Sequence, residues 1–404
     1  MSAGRDAVAY LRTPEAVRER AGAVLARGLD GGLRHLRIDL SRLSGAADLV
    51  AAVTRERYPD LRVPLHSRWR HFGSHRLAEM VRALDRQPAD ERARARIDLA
   101  VTSVLLDAGA GPQWRYVEPG TRNEYRRSEG LAVASFRLFA GGVFSADPER
   151  PWRADAEALA AIDDDRLAHG LQVSASNPLP GLGGRAALLR RLGQALAETP
   201  DLFGKREPRP GHLLDALRER GDRLQAADVL DAVLVGLGPI WPGRLALDGV
   251  NLGDVWRHPA AGGAGPTAGL VPLHKLSQWL TYSLIEPLAE GGLAITGLDR
   301  LTGLAEYRNG GLFLDLGVLA PAYDAVARDV HRPGDEVVVE WRALTVALLD
   351  RLAPLVRERL GGAASALPLA SLLEGGTWAA GRRLADERRS GAPPLRVDSD
   401  GTVM

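Results

Sequence analysis

The 404-residue sequence contains no cysteine. That absence excludes disulfides, thiolate nucleophiles, iron–sulfur clusters and cysteine-ligated zinc, so any metal must rest on His, Asp or Glu. There is no excess of charge either. With 52 Lys plus Arg against 51 Asp plus Glu, no bulk field marks nucleic acid or an anionic membrane as a partner. Long apolar runs are also missing. No stretch approaches the roughly 20 apolar residues that cross a bilayer, and MSAGRDAVAYLRTPEAVRER lacks the apolar segment of a signal peptide. These absences predict a cytoplasmic protein that acts on a small molecule.

What is present is helical. The 45% hydrophobic content suffices for a large core. Pro14 to Leu29 opens on Thr-Pro-Glu, and Arg185 to Ala197 repeats leucine at helical spacing before Pro200. In Glu340 to Leu355, Trp341, Leu344, Leu348, Leu352 and Leu355 form one stripe, which Pro354 should distort. Strand signals are few: Asp335 to Glu340 (DEVVVE) is the best and Leu245 to Val250 is weaker. The pattern predicts a mainly α protein with a few short strands. Its catalytic body would span 1–389, divisible at 175/176, with 390–404 as a tail or short edge strand.

Several polar constellations interrupt this apolar background. In PLHSRWRHF, His66, Arg68, Trp69, Arg70 and His71 crowd together, with His75 four residues beyond His71. Imidazoles at that spacing share a helical face and chelate metals, although Gly73 weakens the helix; an interface cluster is the alternative. QWRYVEPGT leads to Ser128, Glu129 and Gly130, where Glu129 either caps a helix or touches a ligand. NPLPGLGGR would present backbone amides at a helix start, with plain loop chemistry as the simpler reading. Asp163, Asp164 and Asp165 read as a solvated helix end.

The densest segment runs from Val271 to Gly317. On a helix from His274 to Leu288, His274, Gln278 and Thr281 share a face beside Lys275, Trp279, Tyr282 and Glu286. Glu306, Tyr307, Arg308 and Asn309 precede Gly310-Gly311, and Asp315 follows within FLDLG. A carboxylate set among Phe313, Leu314 and Leu316 has either a firm partner or a raised pKa, which is how general bases and metal ligands are prepared. Glu340 stands where the valine run meets the core helix, beside Arg342. EGGTWAAGRR reads as a loop-to-helix element able to close over a pocket.

HSRWRHF, QWRYVEPGT, SEGLAVASF, NPLPGLGGR, HKLSQWLTYSLIEPL, GLAEYRNGGLFLD, EWRALTVALLDRLAP and EGGTWAAGR together resemble the uracil catabolism protein four family, also called the uracil-regulated protein three family, along nearly the whole chain. The resemblance implies a role in a pyrimidine-degradation route distinct from the reductive one. A fainter similarity, in EWRALTVALLDRL and HKLSQWLTYSL, is to queuosine-salvage nucleoside hydrolases. That similarity implies a helical pocket related to helix-hairpin-helix glycosylases and hydrolysis of a C–N bond. One expectation is a metal-assisted hydrolase of uracil or a close derivative. Its divalent iron or zinc would sit on His66, His71 and His274, with Asp315, Glu306 and Glu340 as catalytic carboxylates. Gln278, Tyr282, Arg308 and Asn309 would read the substrate edges, Trp279 or Trp69 would stack on its face, and Arg68 would join the binding set. The alternatives are a metal-independent N-glycosyl hydrolase, using Asp315 or Glu306 and a phosphate-binding Arg68, Arg70 and Arg115, and a non-enzymatic pathway partner.

Overall fold

Helices carry the architecture. In the computed structural model, which describes residues 2–362 and 367–398, strands are two or three residues long and occur as two-stranded pairs. The protein is mainly α, as its periodicity predicts. Its contacts define two compact units assembled from interleaved segments: Met1–His66, Gly243–Gln278 and Gly297–Asp398 in the first, Ser67–Pro242 and Trp279–Thr296 in the second. The division at 175/176 falls inside the second unit.

The first unit is organised by the helix Glu336–Leu360, which packs on the helices Pro14–Leu29 and Leu43–Arg57. The strand expected over Asp335 to Glu340 is instead the start of this helix. Val337, Val338 and Val339 are all buried, so the valine run marks a helix enclosed on several sides, a pattern that short-range periodicity does not separate from a strand. The helix runs on through Pro354 and stops at left-handed Gly361. Pro14–Leu29 begins at the predicted residue because the Thr13 hydroxyl accepts the Ala16 amide at 3.0 Å and Pro14 needs no partner for its nitrogen. Leu245 to Val250 yields only the two-residue strands Ala246–Leu247 and Val250–Asn251, joined at Asp248 and Gly249, both with positive φ.

Two strand pairs of this unit position chemistry. Leu36–Ile38 runs antiparallel to Leu319–Pro321 with Leu36 opposite Pro321, and the Ala322 amide donates to the His35 carbonyl at 2.8 Å. That register sets Tyr323 beside His35. Val255–Arg257 pairs with Leu270–Pro272 and delivers His258 at its end. Arg396–Val397 adds a short parallel strand to Val330–His331, so the expected tail is partly an edge strand; 399–404 lie outside the described residues.

EGGTWAAGRR is a buried element rather than a lid. The helix Leu369–Leu372 passes through a π-helical turn, Leu373–Thr377, into the helix Trp378–Arg389. Close packing demands its glycines. A Cβ on Gly376 would meet Val50 Cγ1 at 2.5 Å, and one on Gly381 would meet the Arg308 carbonyl at 2.1 Å.

The second unit packs the helix Ala89–Leu106 against Arg127–Ala140 and Leu182–Glu198. The last of these extends the predicted Arg185 to Ala197 by three residues at its start and one at its end. Arg185 turns inward, donating to the carbonyls of Leu106 (3.0 Å), Ala108 (2.7 Å) and Gly109 (3.0 Å). A cation thus closes the carboxyl end of Ala89–Leu106, where the helix dipole favours it. Burial pushes the Arg185 guanidinium down to about 10, against the pull of Asp107. The NPLPGLGGR turn therefore serves the core.

Candidate functional site

Glu374 lies in the π-helical turn, and its position there decides its partners. Its carboxylate accepts Arg57 Nη2 at 3.0 Å, the Tyr58 hydroxyl at 3.1 Å and His66 Nδ1 at 2.8 Å, and Arg57 also donates to its backbone carbonyl. His66 and Glu374 are each 3% exposed. The bond fixes the imidazole with its proton on Nδ1, which makes Nε2 the basic nitrogen. The Trp378 ring lies 5.8 Å from the imidazole, and the Arg308 guanidinium lies 4.4 Å from the Trp378 centroid. Next in sequence to Trp378 and Arg308, the buried Thr377 Oγ1 and Asn309 Oδ1 have no hydrogen-bond partner among the described residues. Arg308, expected to bind substrate, thus meets the Trp378 ring that packs near His66, and Asn309, likewise expected, follows it in the chain. The carboxylate of Glu374 was not anticipated; the sequence showed only its segment.

A second constellation surrounds Glu340. Glu336 and Glu340, one turn apart, face His35, and one ligand atom from each of the three lies within 4.8 Å of the others. Glu340 is wholly buried, and its Oε1 accepts the amides of His35 (3.2 Å) and Leu36 (2.7 Å). Oε2 makes no hydrogen bond, although His258 Nε2 approaches within 3.4 Å. The His35 Nδ1 bonds the Tyr323 hydroxyl at 2.6 Å, while its Nε2 lies 3.5 Å from Glu336 Oε1 without hydrogen-bond alignment. His258 Nδ1 accepts the Ala260 amide at 3.1 Å, which puts the proton on Nε2 and turns it toward Glu340.

The other nominated residues are occupied by structure. Glu306 caps its own helix, accepting the amides of Arg308 (2.8 Å) and Asn309 (2.6 Å). Asp315 has the firm partner: Arg389 grips both its oxygens at 2.7 Å. His274 is not on the helix, which begins at Lys275; it has φ 46° and its Nε2 bonds the Leu11 carbonyl at 2.9 Å. Burial holds His274 below the ordinary imidazole range, with the Leu11 carbonyl and Asp254 pulling the other way. Gln278 is buried, its amide joined to Thr302 at both ends (2.8 and 2.6 Å). Among the described residues, His66, His71 and His274 do not form a metal-ligand group, and the group that exists uses His35 instead.

The second unit holds Arg68, Trp69, His71, Trp279 and Tyr282. Arg68 is buried, with Nε on the Ser103 hydroxyl at 2.6 Å and Nη1 3.0 Å from Asp107. Burial draws its pKa down against Asp107 and Glu129. The Trp69 indole donates to the Ser283 carbonyl at 2.7 Å, Trp279 meets Arg68 and His71 by its ring, and Tyr282 is fully buried. Gly73, with φ 77°, separates Trp69–Phe72 from Ser74–Ala83, so His71 and His75 do not share one helix. The expected phosphate cluster is divided among separate ion pairs: Arg68 with Asp107, Arg70 with Glu286, and Arg115 with Glu124.

No helix among the described residues is long and apolar enough to cross a membrane. A family model described as "Protein of unknown function (DUF1688)" matches residues 10–404. The chain is 37% identical over 413 residues to Protein urg3 of Schizosaccharomyces pombe, covering 99% of each chain. It is likewise 37% identical over 437 residues to Uracil catabolism protein 4 of Lachancea kluyveri, covering 98% of this chain and 99% of that one. The whole-chain resemblance read from the sequence motifs is borne out, and the protein belongs to the DUF1688 family alongside these full-length relatives.

Proposed function

We propose that this protein acts in uracil catabolism as a hydrolase that cleaves a C–N bond of uracil or a close derivative, with His66 transferring the proton and a divalent cation, iron or zinc, assisting. The pathway comes from the relative named Uracil catabolism protein 4, which the chain matches from end to end. The observation that carries the chemistry is the His66–Glu374 pair. The Glu374 carboxylate, hydrogen-bonded by Arg57 and Tyr58, orients the imidazole and stabilises the imidazolium that forms when Nε2 takes a proton from the attacking water. The same proton then passes to the leaving nitrogen. Asn309 and Thr377 supply an amide oxygen and a hydroxyl suited to the N–H and C=O groups of a ureide edge. A divalent cation, for which His35, Glu336 and Glu340 form the ligand group among the described residues, would supply Lewis-acid polarisation of a carbonyl and a more acidic water. The glycosidic alternative is less well supported, because Asp315 and Glu306 are held by Arg389 and by helix capping.

Purified protein assayed first with uracil, then with a ribosylated urea and a uridine nucleotide, tests the reading. His66→Asn should lower kcat by about 10²–10⁴-fold, the contribution of a positioned acid–base group, with the melting temperature little changed. Turnover confined to ribosylated substrates would favour glycosidic cleavage. Full activity in His66→Asn would sink the proposal.

A further inference from the structure

We infer that His35, Glu336 and Glu340 form a divalent-metal centre in the first unit, with Tyr323 and His258 as its outer partners. The ligand set is not the one expected from sequence, and the inference rests on geometry that is independent of any reaction. A buried carboxylate costs several kcal/mol unless it meets a positive charge. Glu340 is wholly buried and, among the described residues, no Lys or Arg hydrogen-bonds it; its bonded partners are two backbone amides on Oε1. Its Oε2 and the Nε2 atoms of His35 and His258 are all buried without hydrogen bonds. Glu340 Oε2 and His35 Nε2, both orphaned, belong to residues of one ligand group, whereas nearly all such atoms in a folded core are paired.

A cation resolves the arrangement. One imidazole and two carboxylates from residues one helical turn apart, with ligand atoms mutually within 4.8 Å, match a catalytic-type site with three protein ligands and open positions for water. The outer contacts select the right protonation states. When His35 Nδ1 donates to the Tyr323 hydroxyl, the Nε2 lone pair faces the carboxylates, as in metal sites where the second ring nitrogen is held by a neighbour. His258 carries its proton on Nε2 and so cannot ligate; it steadies Glu340 from the side instead. A set of one imidazole and two carboxylates suits zinc, ferrous iron or manganese.

Equilibrium dialysis of tag-free, chelator-treated protein against zinc, ferrous iron (anaerobically) and manganese, followed by elemental analysis and thermal denaturation, reads the centre directly. About one equivalent of one metal, with a raised melting temperature, is expected. Glu336→Gln and Glu340→Gln should abolish the stoichiometric uptake, and Tyr323→Phe should weaken it about 10–100-fold. Glu336 is partly exposed, so its variant decides the matter if Glu340→Gln fails to fold. No uptake by the wild-type chain, or uptake unchanged in Glu336→Gln, would overturn the inference. Uptake without turnover of any pyrimidine derivative would leave the centre standing and remove the hydrolase reading. Turnover by protein shown to bind no metal would remove the centre and leave His66 chemistry intact.

Discussion

Two buried carboxylates of the first unit solve the same electrostatic problem in different ways. Asp254, 7% exposed, is gripped by Arg342 through two bonds of 2.8 Å, and also accepts the Trp256 indole at 2.6 Å and the Lys275 amide at 2.9 Å. Burial would raise its pKa, but Arg342 and the added hydrogen bonds outweigh that and hold it below the ordinary carboxylate range. Glu340 sits two residues from Arg342 on the same helix, and side chains at that spacing point away from each other. Among the described residues it therefore gains two amides and a neighbouring imidazole but no guanidinium. The pair shows that burial alone does not identify a functional carboxylate. The informative feature is a buried charge whose compensation is incomplete.

The largest effect expected from this contrast is on stability. Arg342→Ala strands the Asp254 charge in the core and should cost about 3–5 kcal/mol, the range for removing one partner of a buried pair. Glu340→Gln in metal-free protein removes an uncompensated charge while keeping an oxygen for the two amides, so it should be close to neutral or stabilising. Chemical denaturation of both variants makes the comparison. Equal losses would mean that Glu340 is compensated as fully as Asp254, and the distinction between them would fail.

A smaller effect sharpens the role of His274, which closes the same neighbourhood. Unfolded, its imidazole titrates near 6.5; folded, burial keeps it neutral to lower pH. Below about pH 6.5 the unfolded chain then binds the extra proton, so its contribution to stability is complete above that pH and declines on acidification. His274→Asn, an exchange that tolerates the positive φ, should flatten the dependence of the denaturation midpoint below about pH 6.5. An unchanged slope would place the titrating group elsewhere.

Local signals were legible in the sequence and long-range ones were not. Thr13 and Pro14 announce their helix because capping is a matter of neighbouring residues, and the stripe from Trp341 to Leu355 shows its buried face. DEVVVE misled because three consecutive buried valines carry no period. His66, Arg308 and Asn309 stood out by composition, yet the carboxylate that orients His66 lies 308 residues away. His35 had no local mark at all. The strand pairing brings it to Tyr323, 288 residues away, and only the i, i+4 spacing of Glu336 and Glu340 could have signalled the metal-like group. The firm partner of Asp315, one of the two readings its surroundings allowed, was hidden for the same reason: its apolar neighbours are visible in FLDLG, whereas Arg389 is not.

That last residue gives the mildest test of the distinction between compensated and uncompensated carboxylates. The Asp315 side chain is 4% exposed and its partner Arg389 27% exposed, so solvent screens the pair far more than it screens Asp254 and Arg342. Asp315→Asn should therefore cost only about 1 kcal/mol, the upper end for partly exposed ion pairs, and should leave turnover unchanged. Thermal denaturation and steady-state kinetics on the same preparation separate the two roles. A fall in kcat of more than about tenfold, about 1.4 kcal/mol of barrier, with melting unaffected, would return Asp315 to the chemistry and show that a fully paired carboxylate can still act.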